Sequence, residues 1–197
     1  MARRADHTHD EIREMAVAAA ARMIEANGLD GLKIRAIARE IGYVPGTLYN
    51  VFDGFDELMM RVNGQTVDAL VAELVAVEQT DAEPDLLQLL EVYGGFAQRH
   101  PNRWKAVFDY SLTDPENAPD WYVQKINGGL AIVERAVRRL SGDDPKYAPA
   151  DAARILWAGL HGIFSLGAEG NLRMVTERDA SHLARTFVEM MTASIRS

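Results

Sequence analysis

LKIRAIAREIGYVPGTLYNVFDGFDEL, residues 32–58, is the stretch on which the rest of the chain depends. Ile34, Ile37, Ala38 and Ile41 recur at i, i+3, i+4 and i+7, which is one apolar stripe along a short helix. Gly42 can adopt a positive φ and end that helix. Pro45, whose ring fixes φ near the helical value, opens a second helix, and Leu48, Val51 and Phe52 give it a face to bury. Two short helices joined by a three- or four-residue turn containing Gly form a helix-turn-helix pattern. By itself the pattern also fits a generic two-helix hairpin. On the outer side of the second helix stand Pro45, Gly46, Thr47, Tyr49 and Asn50, small or polar groups that suit a nucleic-acid backbone and base edges.

Toward the N-terminus, Thr8 and Glu11 have the spacing of a capping box. Ile12, Met15, Ala16, Ala19, Met23 and Ile24 then mark a helix that Asn27-Gly28 ends, and its stripe completes a three-helix head. Asp53-Gly54 breaks the chain, which sets the boundary between a head at 1–54 and a body at 55–197. The body reads as helices only: a long one near Asp56–Glu78, then Leu86–His100, Asn102–Leu112, one through Leu140, Ala150–Gly170 and Arg178–Ile195. Loops fall at Asp81–Asp85 and Ser141–Pro149, both with proline. No strand-like alternation lasts long enough to count, so the fold class is all-α.

Composition narrows the partners. The formal charge of −8 opposes indiscriminate nucleic-acid binding. Residues 1–50 carry seven Lys/Arg against seven Asp/Glu, and residues 51–197 carry 14 against 22, so the whole excess lies in the body. A neutral head on an acidic body is compatible with DNA binding by the head alone. There are no cysteines, so disulfides and thiolate metal sites are excluded, as suits a reducing cytoplasm. No apolar run reaches the length of a membrane span. The run Met15–Ala21 is preceded by Asp10, Glu11 and Glu14 and followed by Arg22, which argues against an export signal.

At residues 9–62 the chain resembles the TetR family of bacterial transcriptional regulators. The likeness is carried by Gly42, Gly46-Thr47-Leu48-Tyr49, Phe52 and Glu57-Leu58. A second, shorter likeness lies in ARILWAGLHGIFSLGAEG, residues 153–170, where Trp157 with His161-Gly162 resembles the Trp-His-Gly type of C-terminal domain found in such regulators. The resemblance implies a homodimer whose heads bind a double-stranded DNA operator, repress transcription and let go when a small-molecule effector enters the body. It also implies a four-helix dimer interface built from the helices of Ala118–Leu140 and Ala150–Gly170. Two positions depart from the family pattern. Phe55 stands where a phosphate-binding Lys is usual, and Val44 where a Ser caps the recognition helix.

The expected DNA contacts are Lys33, Arg35, Pro45, Gly46, Thr47, Tyr49 and Asn50, with Thr47 and Tyr49 on phosphate and Arg35 and Asn50 reaching bases. Met1–His7, with Arg3 and Arg4, is either a tail or an arm toward the groove. The candidate effector contacts are Tyr93, Trp104, Phe108, Trp157 and His161, for which core packing is the competing explanation. No catalytic residues, metal ligands or cofactor are expected. His7, His9, His100, His161 and His182 do not pair at metal-ligand spacing, and no Gly-rich loop precedes a helix to hold phosphate. A rival reading is a helical ligand-binding or scaffolding protein whose head has lost operator binding.

Overall fold

The computed structural model describes residues 7–80, 85–143 and 145–196; the arm residues Arg3 and Arg4 and most of the Asp81–Asp85 loop lie outside them. Among the described residues every regular element is a helix. They run α1 (His9–Asn27), α2 (Ile34–Glu40), α3 (Pro45–Tyr49), α4 (Phe55–Thr80), α5 (Leu86–Arg99), α6 (Pro101–Asp109), α7 (Asp120–Ser141), α8 (Pro149–Ala168) and α9 (Ala180–Arg196). Short 3₁₀ turns at Pro115–Asn117 and Asn171–Met174 precede α7 and α9.

Local chemistry accounts for most boundaries. The Thr8 hydroxyl accepts from the Glu11 N–H at 3.2 Å while the Glu11 carboxylate accepts from the Thr8 N–H at 2.7 Å, so α1 starts on the reciprocal cap its sequence predicts. Asp85 and Gln88 make the same arrangement at the start of α5. Pro101 does not merely close α5; His100 is the cap and Pro101 opens α6 directly.

The chain forms two compact units. The first comprises residues 1–66 and 102–122. Its core joins Ile12, Ala16, Ala20 and Ile24 of α1, Ile37 and Ala38 of α2, Leu48 of α3, Val51 and Phe52, to Leu58, Met59 and Val62 of α4 and Ala106 of α6. This division differs from the 54/55 sequence boundary, because the first turns of α4 are part of the head's core and no linker separates them from it. Buried Asn63 donates to the Ala106 carbonyl at 3.0 Å, tying α6 to α4. Asn102 donates to the Glu25 carbonyl at 2.9 Å, tying it to α1.

Beyond Asp109 the chain leaves the helix and is held by Asp56, which accepts from the Tyr110 hydroxyl and, at 2.8 Å, from the Thr113 N–H. The Tyr110 bond, together with the Thr113 N–H, holds the Asp56 carboxyl below its ordinary range despite some burial. Burial and the Asp56 charge push the Tyr110 phenol well up. A depressed acid stabilises the fold above its unfolded pKa of about 3.9 and loses that stabilisation as pH falls through the folded value. A raised phenol stabilises below its unfolded pKa of about 10 and loses that as pH rises through its folded value. Tyr110→Phe is therefore expected to lower the melting temperature between about pH 4 and pH 10, and the difference from wild type should shrink outside that window. Calorimetry across pH checks this; a constant difference at every pH would mean that the pair adds nothing by its charge.

The second unit comprises residues 67–101 and 123–197. In it α5 buries Leu86, Leu89, Leu90, Tyr93 and Phe96, α8 buries Ala152, Ala153, Leu156 and Phe164, and α9 buries Ala184, Val188 and Ile195. Two α8 glycines and one on α5 admit neighbours: the Phe187 ring lies against Gly159, Ala180 against Gly167, and the Phe164 ring against Gly94. At the surface Lys125 pairs with Asp68 at 2.7 Å and Arg135 with Glu78 at 2.7 Å, linking α7 to α4.

Candidate nucleic-acid interface and ligand cavity

The head presents its recognition surface through a tight turn. Gly42 has φ +79°, and the Tyr43 N–H reaches back to the Ala38 carbonyl at 2.8 Å, which closes α2. Val44 is the N-cap of α3 with no side-chain cap, and Pro45 fills the first helical position. Only Leu48 of the five α3 residues is buried; Val51 and Phe52, just after it, complete the anchor. Arg13 of α1 donates to the Val51 carbonyl at 3.1 Å and steadies the end of this short helix.

All seven predicted contact residues lie in α2, α3 or their caps. Lys33, Arg35, Gly46, Tyr49 and Asn50 are exposed, and Pro45 and Thr47 are half-buried. Val44 and Tyr49 are each 60% exposed, an apolar pair at the surface where burial would be the usual outcome. Val44 is absent from the expected contacts, because an apolar residue in a turn reads as filler. His7 also enters unexpectedly: its Nδ1 lies 2.8 Å from the Tyr43 hydroxyl, so the residue just before the Thr8 cap of α1 meets the turn itself. A contact between positions 36 apart leaves no local sequence signal.

Phe55, at the start of α4, is half-buried and sets its ring edge-on to Tyr110 at 6.1 Å. Glu57 accepts from the Asp53 N–H at 2.7 Å and pairs with Arg61 at 2.7 Å. Burial raises the Glu57 carboxyl, but these donors outweigh it and the net displacement is downward.

In the second unit a cavity of about 50 Å³ lies among Leu74 of α4, Leu86, Leu89, Leu90 and Tyr93 of α5, Val133 of α7, Leu156, Trp157 and Leu160 of α8, and Val188 of α9. The Tyr93 hydroxyl is 3.3 Å from His161 Nδ1, and Trp157 stacks on the His161 ring at 5.9 Å. His161 Nε2 lies 3.5 Å from the Ser165 hydroxyl. Of the five candidate effector contacts, Tyr93, Trp157 and His161 thus come together. Trp104 and Phe108 pair with each other at 5.8 Å in the first unit and do not line this cavity. The aliphatic lining carries no sequence mark of a pocket, although Leu86, Leu89, Leu90 and Tyr93 repeat at i, i+3, i+4 and i+7 as any buried helix face would.

Residues 16–62 match the family described as bacterial regulatory proteins, tetR family. Residues 86–191, more than half of the chain, match the tetracyclin repressor-like C-terminal domain. The chain belongs to the TetR family. Its helix-turn-helix lies inside the first match and the Trp157-His161-Gly162 cluster inside the second. This TetR-family protein is 29% identical over 163 residues to the uncharacterized HTH-type transcriptional regulator Rv0681 of Mycobacterium tuberculosis, covering 80% of this chain and 71% of that one. Its fold resembles that of a protein with unknown function from Rhodococcus sp. RHA1, with a TM-score of 0.72 at 20% identity over the whole of both chains. It also resembles RolR, solved with resorcinol, with a TM-score of 0.56 at 17% identity over 95% of this chain and 88% of that one. The TetR-family protein described here is a DNA-binding transcriptional regulator, and among its described residues no helix is long and apolar enough to cross a membrane.

Proposed function

We propose that this regulator acts in the cytoplasm as a homodimeric repressor of a pseudo-palindromic operator, released when a small molecule enters its body. Residues 1–54 supply the DNA surface and residues 55–197 the regulation and dimerisation. The observation that carries the reading is the exposure of Gly46, Tyr49 and Asn50 on a helix anchored by buried Leu48, beside exposed Lys33 and Arg35. A surface so arranged can set phosphate contacts and base contacts at fixed separation. Selection of bound duplexes from a random pool should enrich a palindrome; failure to enrich any sequence would favour a scaffolding protein that has lost operator binding.

Within that surface Thr47 and Tyr49 contact phosphate, and Arg35 and Asn50 reach bases. Arg35→Ala or Asn50→Ala is expected to cost about 1–3 kcal/mol and relax preference at one operator position. Loss of Tyr49 should weaken all sequences alike. Unchanged affinity and preference in both alanine variants would refute the assignment. Phe55→Lys tests the missing phosphate contact. It is expected to steepen the slope of log affinity against log salt by about one unit. It also removes the ring contact with Tyr110, so the head should melt somewhat earlier. An identical slope would mean that this position does not face DNA.

For the dimer we favour α8 with α9 over the pair α7 and α8 that the family resemblance alone would choose. Ile155 and Leu166 of α8 and Met190 of α9 are exposed apolar side chains, at 55%, 46% and 68%, whereas the described part of α7 exposes Val123 alone among its large apolar residues. Exposed apolar groups grouped on two helices are the usual mark of an association surface. The effector role of the body is supported by the cavity beside Tyr93 and Trp157, and by the likeness to RolR, whose structure holds resorcinol.

A further inference from the structure

We infer that the body cavity takes an uncharged, largely apolar molecule, a single ring or a short chain with at most one hydroxyl, admitted by displacement of Trp157. The inference rests on the effector reading above and gives that effector a chemical class.

Among the described residues the lining carries no ionisable group except the Tyr93 phenol. A carboxylate or ammonium placed among these residues would lie against aliphatic and aromatic groups with no formal charge beside it, a costly arrangement in a protein interior. The one polar feature is the Tyr93–His161 pair, whose separation of 3.3 Å is longer than the roughly 2.8 Å usual for a hydroxyl bond. A ligand hydroxyl can donate to or accept from this loosely held pair.

Size sets the second condition. An engineered apolar cavity of about 150 Å³ accommodates benzene, and the void here is about 50 Å³. A ring can therefore enter only if a lining side chain moves. Leu74, Leu89, Leu156 and Val188 are buried, whereas Trp157 is half-buried and is the largest group of the wall. Its ring lies at the edge of the core, offset from the His161 ring by 5.9 Å between centroids with 23° between the planes. Its departure enlarges the void by the volume of an indole and brings the polar pair within reach.

The test uses the full-length protein without DNA and four probes of matched size: toluene, phenol, benzoate and benzylammonium. Calorimetric titration near neutral pH should show toluene and phenol binding, with phenol the tighter. Both ions should bind at least about tenfold more weakly. Binding should change the intrinsic fluorescence of wild type, and Trp157→Phe should remove most of that change. Val133→Phe, which fills the void, should weaken both neutral probes at least about tenfold while retaining helical content. If that variant does not fold, the probe series alone decides. Ions that match the neutral probes, or neutral probes that fail to bind at millimolar concentration, overturn the inference. Titration of the same probes against the operator complex separates the two readings. Neutral binding with unchanged operator affinity upholds the ligand class and refutes the effector role.

Discussion

Gly162→Leu is expected to turn the proposed dimer into a monomer that stays helical and binds its operator at least about 100-fold more weakly. Gly162 has open space around its Cα hydrogens within its own chain, with no atom near the position a Cβ would take. A Cβ there meets no side chain of the protomer, so a change of assembly with the fold retained would point to the partner helix. Two heads on one dimer engage two half-sites together, and separated heads forfeit that gain. Sedimentation of the variant measures the change directly. An intact dimer would take this side of α8 out of the interface, whatever happened to DNA binding.

Gly94→Leu should do the opposite, leaving the assembly surface alone and damaging the fold. Gly94 is buried, and a Cβ there would stand 2.6 Å from the tip of the Phe164 ring, which is itself only 7% exposed. Helix propensity favours leucine over glycine by under about 1 kcal/mol. Overpacking costs about 1–3 kcal/mol and sometimes more, so the net effect is a loss. For a chain of this size each kcal/mol lowers the melting temperature by about 2–4 °C, and a fall of up to roughly 8 °C is expected. Adding Phe164→Ala should recover part of it, because the two sites share one space. A double variant no better than the sum of its parts would show that the ring is not the obstacle.

The contrast between these glycines marks what the chain reveals without its structure. Gly42, Pro45 and the Thr8–Glu11 cap act on backbone within a few residues, so their consequences follow from spacing. The head's apolar stripes are equally plain, since Ile34, Ile37 and Leu48 each sit at a helical repeat. Ala106 cannot be placed the same way. Its neighbours in the head's core come from α1–α4, and its carbonyl bonds to Asn63, 43 positions away. The separation of Trp104 and Phe108 from the cavity beside Tyr93 is hidden for the same reason, because aromatic character alone does not say which unit a helix joins. The cavity leaves no trace in the sequence because Leu74, Leu156 and Val188 are the residue types of any core. Only their failure to fill the space distinguishes them, and that is a property of three helices at once.

The division of the chain at Thr66 and Val67, inside α4, bears on how such a protein can be recombined. A recognition helix of five residues has no stability of its own, since even helices of a dozen residues are marginal when isolated. It cannot be transplanted as a peptide. A hybrid joined at 54/55 would also strand Leu58, Met59, Val62 and Ala106 from the α1–α3 surfaces they cover. Operator preference is therefore portable only as a block that runs from α1 into α4 and carries a matching α6 segment. A joint that ignores this second, distant segment would yield a head with the right contacts and a mismatched floor.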